Sequence, residues 1–454
     1  MKKKSGNIDR RRFLQSSAAL GVGLMMADPA SGKSSDAGKK KDDIYVALLG
    51  AGTQGQVLFN ACIKMGPNSG VKFRAVCDIW EKYNLKRVSR MMDAFGRFGH
   101  KGTPYTDYRE MLTKETDLDA VIIATPDFWH SEHTIASLDA GLHVYCEKEM
   151  SNKLEDARKM VEKVKQTGKL LQIGHQRRSN PRYIYCYDNI IGNDMLNRIT
   201  TINGQWNRSK AACEYKGWPK ETDIDQDGLE KYGFDSMKQF RNWRWYKGLG
   251  GGPIVDLGSH QIDIYNWFLN ARPKAVMASG GSDYWGRQWY DSVMAVYEYE
   301  TRQGAVRAFY QTITTNSSQG YFEQFMGDEG TLTISEASSR GSIYREANVP
   351  EKKWDKWVKQ GLIAKAGGTQ AAESEGGVPD PRASIPAAEY DLPVQMNKAY
   401  HQPHLENFFA AIRGEEKLNC PAEIGYETAV TVLKVNEAVD AGKKLTFDEA
   451  QFKA

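Results

Sequence analysis

From residue 44 to residue 173 the chain alternates short apolar runs with segments whose apolar positions recur every three to four residues. Ile44–Leu49 and the runs 71–76, 120–125, 143–146 and 170–173 read as buried strands, while the segments opening at Val57, at 131–140 and at 151–167 read as helices. Strand and helix in strict turn predict parallel strands with helices on both faces, a doubly wound α/β domain. After residue 174 the rhythm changes. The runs 198–206, 274–281, 291–299 and 304–313 are longer, which suits an open, mostly antiparallel sheet in a second, α+β domain. The stretch 363–393, rich in Ala, Gly, Glu and Pro, reads as a long surface loop, and helical spacing returns at 405–413 and 424–438. The expected organisation is a doubly wound domain over 43–173 and a substrate-binding α+β domain over 174–454.

The first predicted turn carries chemistry. Gly50-Ala51-Gly52-Thr53-Gln54-Gly55 stands between a predicted strand and a predicted helix. Glycines there let backbone amides at a helix N-terminus reach a pyrophosphate, with Thr53 and Gln54 beside the same group. Asp78 follows the second predicted strand at roughly the twenty-residue spacing of an acid that binds a ribose 2′-hydroxyl. Its charge would repel a 2′-phosphate. The motif therefore predicts a Rossmann domain that takes NAD in preference to NADP.

A second constellation lies far downstream. Gly250-Gly251-Gly252 ends a loop, Pro253 suits a first helical position, and Asp256, His260, Asp263 and Trp267 follow at helical spacing along one face. Ile254, Leu257, Ile262, Tyr265 and Phe268 can bury the other side. A carboxylate beside an imidazole reads either as a hydrogen-bonded core pair or as acid–base chemistry, and the upstream dinucleotide motif favours the second.

Composition narrows the partners. With 41% hydrophobic and 26% charged residues, a chain of 454 residues fits a globular protein of two or three domains. No apolar run after residue 30 is long enough to span a bilayer, so no stable membrane anchor is expected. The first thirty residues, six basic and two acidic, hold the whole formal net charge of +4. The remainder is near neutral and gives no reason to expect a nucleic-acid partner. Arg10-Arg11-Arg12-Phe13-Leu14 precedes a weakly apolar stretch in signal-peptide order and points to twin-arginine (Tat) export to the periplasm. Residues 1–30 would be the signal and 31–42 a linker; with the signal unused the protein would stay cytoplasmic. Ala27-Asp28-Pro29-Ala30 is a poor cleavage match. Six cysteines show no C-x-x-C or Cys/His cluster, so neither a metal site nor a redox pair is indicated, and free buried thiols are expected.

Taken together, several stretches resemble the Gfo/Idh/MocA oxidoreductases, which include glucose–fructose oxidoreductase and inositol dehydrogenases. They are Gly50 to Gly55, Ala124-Thr125-Pro126 with His130, the run from Ala140 to Lys148, Gly250 to Asp263, and His404 with Phe408, Ala411, Ile412 and Arg413. The resemblance covers nearly all of 43–445. It implies catalysis by Lys148 and His260 with Asp256 completing the polar set, and a cofactor site to which Thr125, Pro126, His130 and Glu147 contribute. On that implication His260 takes the hydroxyl proton, Lys148 holds the alcohol oxygen and stabilises developing alkoxide, and Asp256 binds a neighbouring hydroxyl or orients the site. Gly174-His175-Gln176-Arg177-Arg178 resembles the family's substrate-facing stretch, so His175, Arg177 and Arg178 join Asp263 as candidate substrate contacts. A homodimer or tetramer is implied, because open sheets in this family commonly pair face to face.

One position departs from the family. Glu-Lys-Pro is usual where this chain has Glu147-Lys148-Glu149-Met150, and losing the proline removes a fixed φ and a route to a cis bond. Glu149 can tune the lysine, act as an extra acid or base, or face solvent; the solvent-facing end is the expectation. Trp206, Trp243, Trp245, Tyr246, Trp285 and Trp289 give the second domain aromatic faces suited to sugar rings, with Trp243 and Trp245 the candidates for the cleft. The expected activity is oxidation of a secondary ring hydroxyl of a sugar or glycoside, in its preferred form at C3 of a glucoside, by tightly held NAD. Two alternatives stand. One is an NAD-dependent, redox-neutral glycosidase working by oxidation and elimination, which needs a further base such as His175 or a tyrosine. The other is a non-catalytic nucleotide-binding sensor.

Overall fold

A computed structural model describes residues 42–337, 340–366 and 388–454. The expected signal, its cleavage point and the linker up to residue 41 lie outside the described residues.

The first sheet contains β1 (Ile44–Leu49), β2 (Val71–Cys77), β3 (Thr103–Tyr105), β4 (Ala120–Ile123), β5 (His143–Cys146) and β6 (Leu171–Ile173). Their order is β3-β2-β1-β4-β5-β6, and every neighbouring pair is parallel. Helices cover both faces of such a sheet, which is why β1 and β4 are continuous apolar runs with every residue buried. The strand order reverses between β1 and β4, where an open α/β sheet presents its crevice. There the chain runs tight. Gly50 has φ 95°, and a Cβ on it would stand 2.6 Å from the Ala124 carbonyl carbon.

The second sheet contains β7 (Ile199–Asn207), β8 (Pro273–Gly281), β9 (Ser292–Thr301), β10 (Gly304–Ile313), β11 (Tyr321–Gly327), β12 (Gly330–Ile334), β13 (Gly341–Arg345), β14 (Ala364–Lys365), β15 (Ala388–Asp391) and β16 (Leu445–Thr446). Its order is β14-β15-β13-β12-β11-β7-β10-β9-β8-β16, antiparallel except where β7 and β10 run parallel. Alternate residues of β10, among them Val306, Ala308 and Tyr310, point into a core filled from the other side by Ile262, Tyr265 and Phe268 of the helix Ser259–Leu269.

Two corrections to the sequence reading concern the C-terminal third. The stretch 363–393 is not loop at its described ends: β14 and β15 pair with each other, and Tyr390 is buried against Trp354 at 5.2 Å. An aromatic anchor outweighs the surrounding small and polar residues. Residues 367–387 lie outside the described residues. The last helices, moreover, complete the first domain. Leu405, Phe408 and Phe409 of the helix Gln402–Ile412 enter the core on one face of the parallel sheet. The helix Ala422–Ala441 places Tyr426, Ala429 and Val430 in the core on the other face, and its Val432, Val435 and Ala438 in the core of the second sheet. Each of the valines contributes about 1.5–3 kcal/mol of burial, so one helix ties the two sheets together.

Candidate active site

A cavity of about 550 Å³ opens at the carboxyl ends of β1, β2, β4 and β5 and extends to residues of the second sheet. Gly50, Gly52, Thr53, Gln54, Asp78, Thr125, Pro126, Glu147 and Lys148 line it from the parallel sheet; Trp206, Trp243, Trp245, Asp256 and His260 line it from the other side.

The end beside β1 fits a dinucleotide. A Cβ on Gly55 would lie 1.9 Å from the Gly50 carbonyl oxygen, so the turn and the helix Thr53–Lys64 are in direct backbone contact. A Cβ on Gly52 would meet nothing nearer than Asn84 Nδ2 at 4.0 Å, leaving space where a phosphate can approach the backbone. Among the described residues no side chain caps this helix, and no acid stands in its first turn, so its amide end can attract an anion. Asp78 accepts from the N–H groups of Ala51 at 2.7 Å and Trp80 at 2.8 Å while lining the cavity. Burial pushes its carboxyl upward, opposed by those two N–H bonds and by the Asn84 amide. Gln54 is engaged differently, with Nε2 2.9 Å from Nε2 of His401 in the C-terminal segment.

Thr125 and Pro126 lie on the wall, and Thr125 Oγ1 is 3.0 Å from Nδ1 of His133, whose ring stacks on Trp129. His130 is a correction. It is buried behind the wall, with Nδ1 2.7 Å from the Glu149 carbonyl and Nε2 2.7 Å from the Thr125 carbonyl. Burial pulls its ring down to about 4 against the pull of those carbonyls. Neutral at that value, the ring has one N–H and donates to one of the two carbonyls, so it belongs to the support behind the wall and leaves the nucleotide to others.

Lys148 follows β5 and reaches across to the second domain. Its Nζ donates to the backbone carbonyl of Asp256 and sits 3.3 Å from Oδ1 of the same residue. Asp256 belongs to a wide π-helical turn, Ile254–Gly258, that leads directly into the helix Ser259–Leu269. Burial works against its charge, yet Arg244, Lys148 and Arg208 together hold the carboxyl far below the usual carboxylate range. Arg244 Nε lies 3.0 Å from Oδ1 and Arg208 Nη1 3.7 Å from Oδ2. One turn on, the His260 ring lies 5.3 Å from Trp206, and its Nδ1 is buried with no hydrogen-bond partner among the described residues. Burial, reinforced by the charges of Lys148 and Arg177, drives its titration well below that of a free imidazole. A neutral ring at the wall can accept a proton.

Glu149 does not face solvent. It is fully buried, Oε1 accepts the Met150 N–H at 2.7 Å, and Oε2 has no partner among the described residues; burial raises its carboxyl to about 8. The Lys148–Glu149 peptide is cis. The other departures concern the expected substrate contacts. Asp263 is closed in a bidentate pair with Arg178, at 2.8–2.9 Å, and accepts from Thr428 Oγ1 at 2.8 Å. Arg177 is buried between Glu323 and Glu336, with Nε 2.9 Å from Glu336 Oε2. His175 is 1% exposed. None of these four is on the cavity wall. Pattern placed them at the junction, but buried ion pairs consumed the charged ends of Asp263, Arg177 and Arg178, and His175 is enclosed with neither ring nitrogen bonded among the described residues.

Several wall residues carried little sequence signal: Arg208, Arg244, Asp127, Tyr321, Glu336 and His401. Position was the available clue, since Arg244 stands between Trp243 and Trp245, Arg208 two residues after Trp206, and Asp127 directly after Thr125-Pro126. Asp127 is buried at the wall, and burial lifts its carboxyl to about 7 despite Arg244 and Lys148 nearby. All six cysteines are buried and unpaired, and no helix among the described residues is long and apolar enough to cross a membrane.

Sheet order, switch-point glycines and an uncapped helix end define a Rossmann-type dinucleotide-binding protein. Residues 44–175 match the family model described as the oxidoreductase family with an NAD-binding Rossmann fold, and residues 222–333 match the C-terminal domain model of the same family. The chain belongs to the Gfo/Idh/MocA oxidoreductase family. It is 28% identical over 225 residues to a 1,5-anhydro-D-fructose reductase of Ensifer adhaerens, covering 49% of this chain and 59% of that protein. It is 28% identical over 182 residues to a glycosyl hydrolase family 109 protein of Shewanella putrefaciens, covering 36% of this chain and 38% of that one. The matched stretches thus span less than two thirds of these relatives. A levoglucosan dehydrogenase solved with NADH and levoglucosan superimposes with a TM-score of 0.64 at 16% identity, over 89% of this chain and 99% of that one, a likeness of fold.

Proposed function

We propose that the protein oxidises a secondary ring hydroxyl of a sugar or glycoside, in the preferred form C3 of a glucoside, using tightly held NAD. The observation that carries this reading is the contact of Lys148 with Asp256 across a cavity that His260 also lines and whose far end fits a dinucleotide. Three tryptophans lining the same cavity, Trp206, Trp243 and Trp245, offer faces for the C–H surface of a pyranose. NAD, when bound, supplies the acceptor for the hydride leaving the carbinol carbon. Lys148, held by the Asp256 carbonyl and carboxylate, donates to the substrate oxygen and stabilises it as alkoxide character grows. His260, neutral, takes the hydroxyl proton. Asp256 is occupied by three cations, so its work is to hold Lys148 in place while two arginines keep it ionised.

A redox-neutral glycosidase is the second reading, favoured by Asp127, a cavity carboxyl lifted to about 7 that could serve as the further base, and by the Shewanella relative. Export by the Tat route stays part of the proposal on the pattern Arg10 to Leu14, and cell fractionation tests it. The decisive experiment follows nicotinamide fluorescence of the purified protein against a panel of sugars and glycosides. A rise with one compound, lost in Lys148→Ala and His260→Ala, is expected. Aglycone release without a rise moves the assignment to the glycosidase, and neither signal with any compound sinks both.

A further inference from the structure

The wall around Asp256 carries more positive charge than one carboxylate balances. Lys148, Arg244 and Arg208 all line the cavity and lie at 3.3, 3.0 and 3.7 Å from its oxygens. Arg244 spends only Nε on the carboxylate, and Arg208 meets it loosely through Nη1; both side chains remain about a third exposed. The two guanidiniums are also oriented. Arg244 sits over the Trp243 ring at 4.2 Å and Arg208 over the Trp206 ring at 5.3 Å. An indole face steadies a guanidinium without consuming its N–H donors, so two planar forks stand at the wall with donors to spare. The remaining carboxylates do not cancel them. Glu336 is held by Arg177 and Gln176, Asp127 loses charge near neutrality, and Asp78 and Glu147 stand at the ends of β2 and β5, on the dinucleotide side.

We propose that the sugar bound here carries a carboxylate, received by Arg208 and Arg244 while Lys148 holds the reacting hydroxyl. This deepens the sugar-oxidation reading and rests on it for the identity of the site. Planar forks match a carboxylate bidentately, and a neutral sugar would leave their donors unanswered in a half-buried wall.

The test titrates the NAD-loaded protein calorimetrically with glucuronate, galacturonate and mannuronate, each against its neutral hexose, with glucose 6-phosphate as an arm that reports general attraction of anions. At least one acid is expected to bind about tenfold to a hundredfold more tightly than its neutral partner, the span of a charge-assisted pair. That preference is expected to weaken as salt is raised to about 0.5 M. Arg208→Gln and Arg244→Gln should each erode it by about tenfold, with thermal unfolding checked in parallel. No acid binding more tightly than its neutral partner, a preference indifferent to salt, or a tighter grip on the phosphate overturns the inference. Tight, salt-sensitive binding of an acid with no nicotinamide fluorescence sinks the oxidation reading and leaves this one standing.

Discussion

Two charged clusters sit within two turns of each other on one stretch of helix and differ in kind. Asp256 meets Lys148, Arg244 and Arg208 at a cavity, with its side chain 17% exposed; Asp263 meets Arg178 in the interior, 1% exposed and with both oxygens bonded. Residue types are nearly the same. The first cluster has donors left over and space in front of it, so it can hold and ionise a substrate group. The second is satisfied by protein alone and fixes the position of the segment 175–178 against the helix. Charge in a sequence marks both, and access separates them.

The largest effect should come from the open cluster. Lys148→Ala and His260→Ala are each expected to slow hydride transfer by roughly 10²–10⁴, the usual range for a positioned acid or base, as read by single-turnover nicotinamide fluorescence. Variants within tenfold of the parent would mean that the open cluster is no more a working site than the closed one. The closed cluster should answer in stability. Asp263→Ala strands the buried Arg178 and is expected to cost about 3–5 kcal/mol in urea unfolding; a loss under about 1 kcal/mol would show the pair to be peripheral.

Glu149 interacts electrostatically with Lys148 of the open cluster and Asp263 of the closed one, and gives a pH test. Its carboxyl is raised from 4.5 to about 8 by burial. Between those values the folded chain keeps a proton that the unfolded chain releases. Stability should therefore fall as pH rises through that window, by up to about 1.4 kcal/mol per unit, and level off above it. Glu149→Gln should flatten the slope; identical slopes would mean the carboxyl does not titrate there. The smallest effect concerns the nucleotide end. Gly52→Ala enters open space and should lower NAD affinity by roughly 1–2 kcal/mol at unchanged thermal stability.

Much of this was legible along the chain. The run Ile44–Leu49 and the glycines after it announced strand, turn and helix, because a buried parallel strand must be apolar throughout and only glycine tolerates the Ala124 approach. The spacing of Asp256 and His260 announced a shared face. His130, Arg177, Arg178 and Asp263 carried equally good sequence signals and turned out to be interior. Glu149 looked like a strand end and is fully enclosed.

The sequence by itself determined the parallel domain, the glycine turn, the acid after β2 and the shared face of Asp256 and His260, since these follow from local spacing and backbone sterics, while Lys148 was marked by the resemblance to the family. Tertiary structure decided which charges reach the cavity. Lys148 and Asp256 are 108 residues apart in sequence, and Arg208 enters from the end of a third segment, β7. Whether a charged side chain is a tool or a strut depends on what distant strands bring to face it, because desolvation and pairing are set by the partner across the gap and leave no periodic trace along the chain.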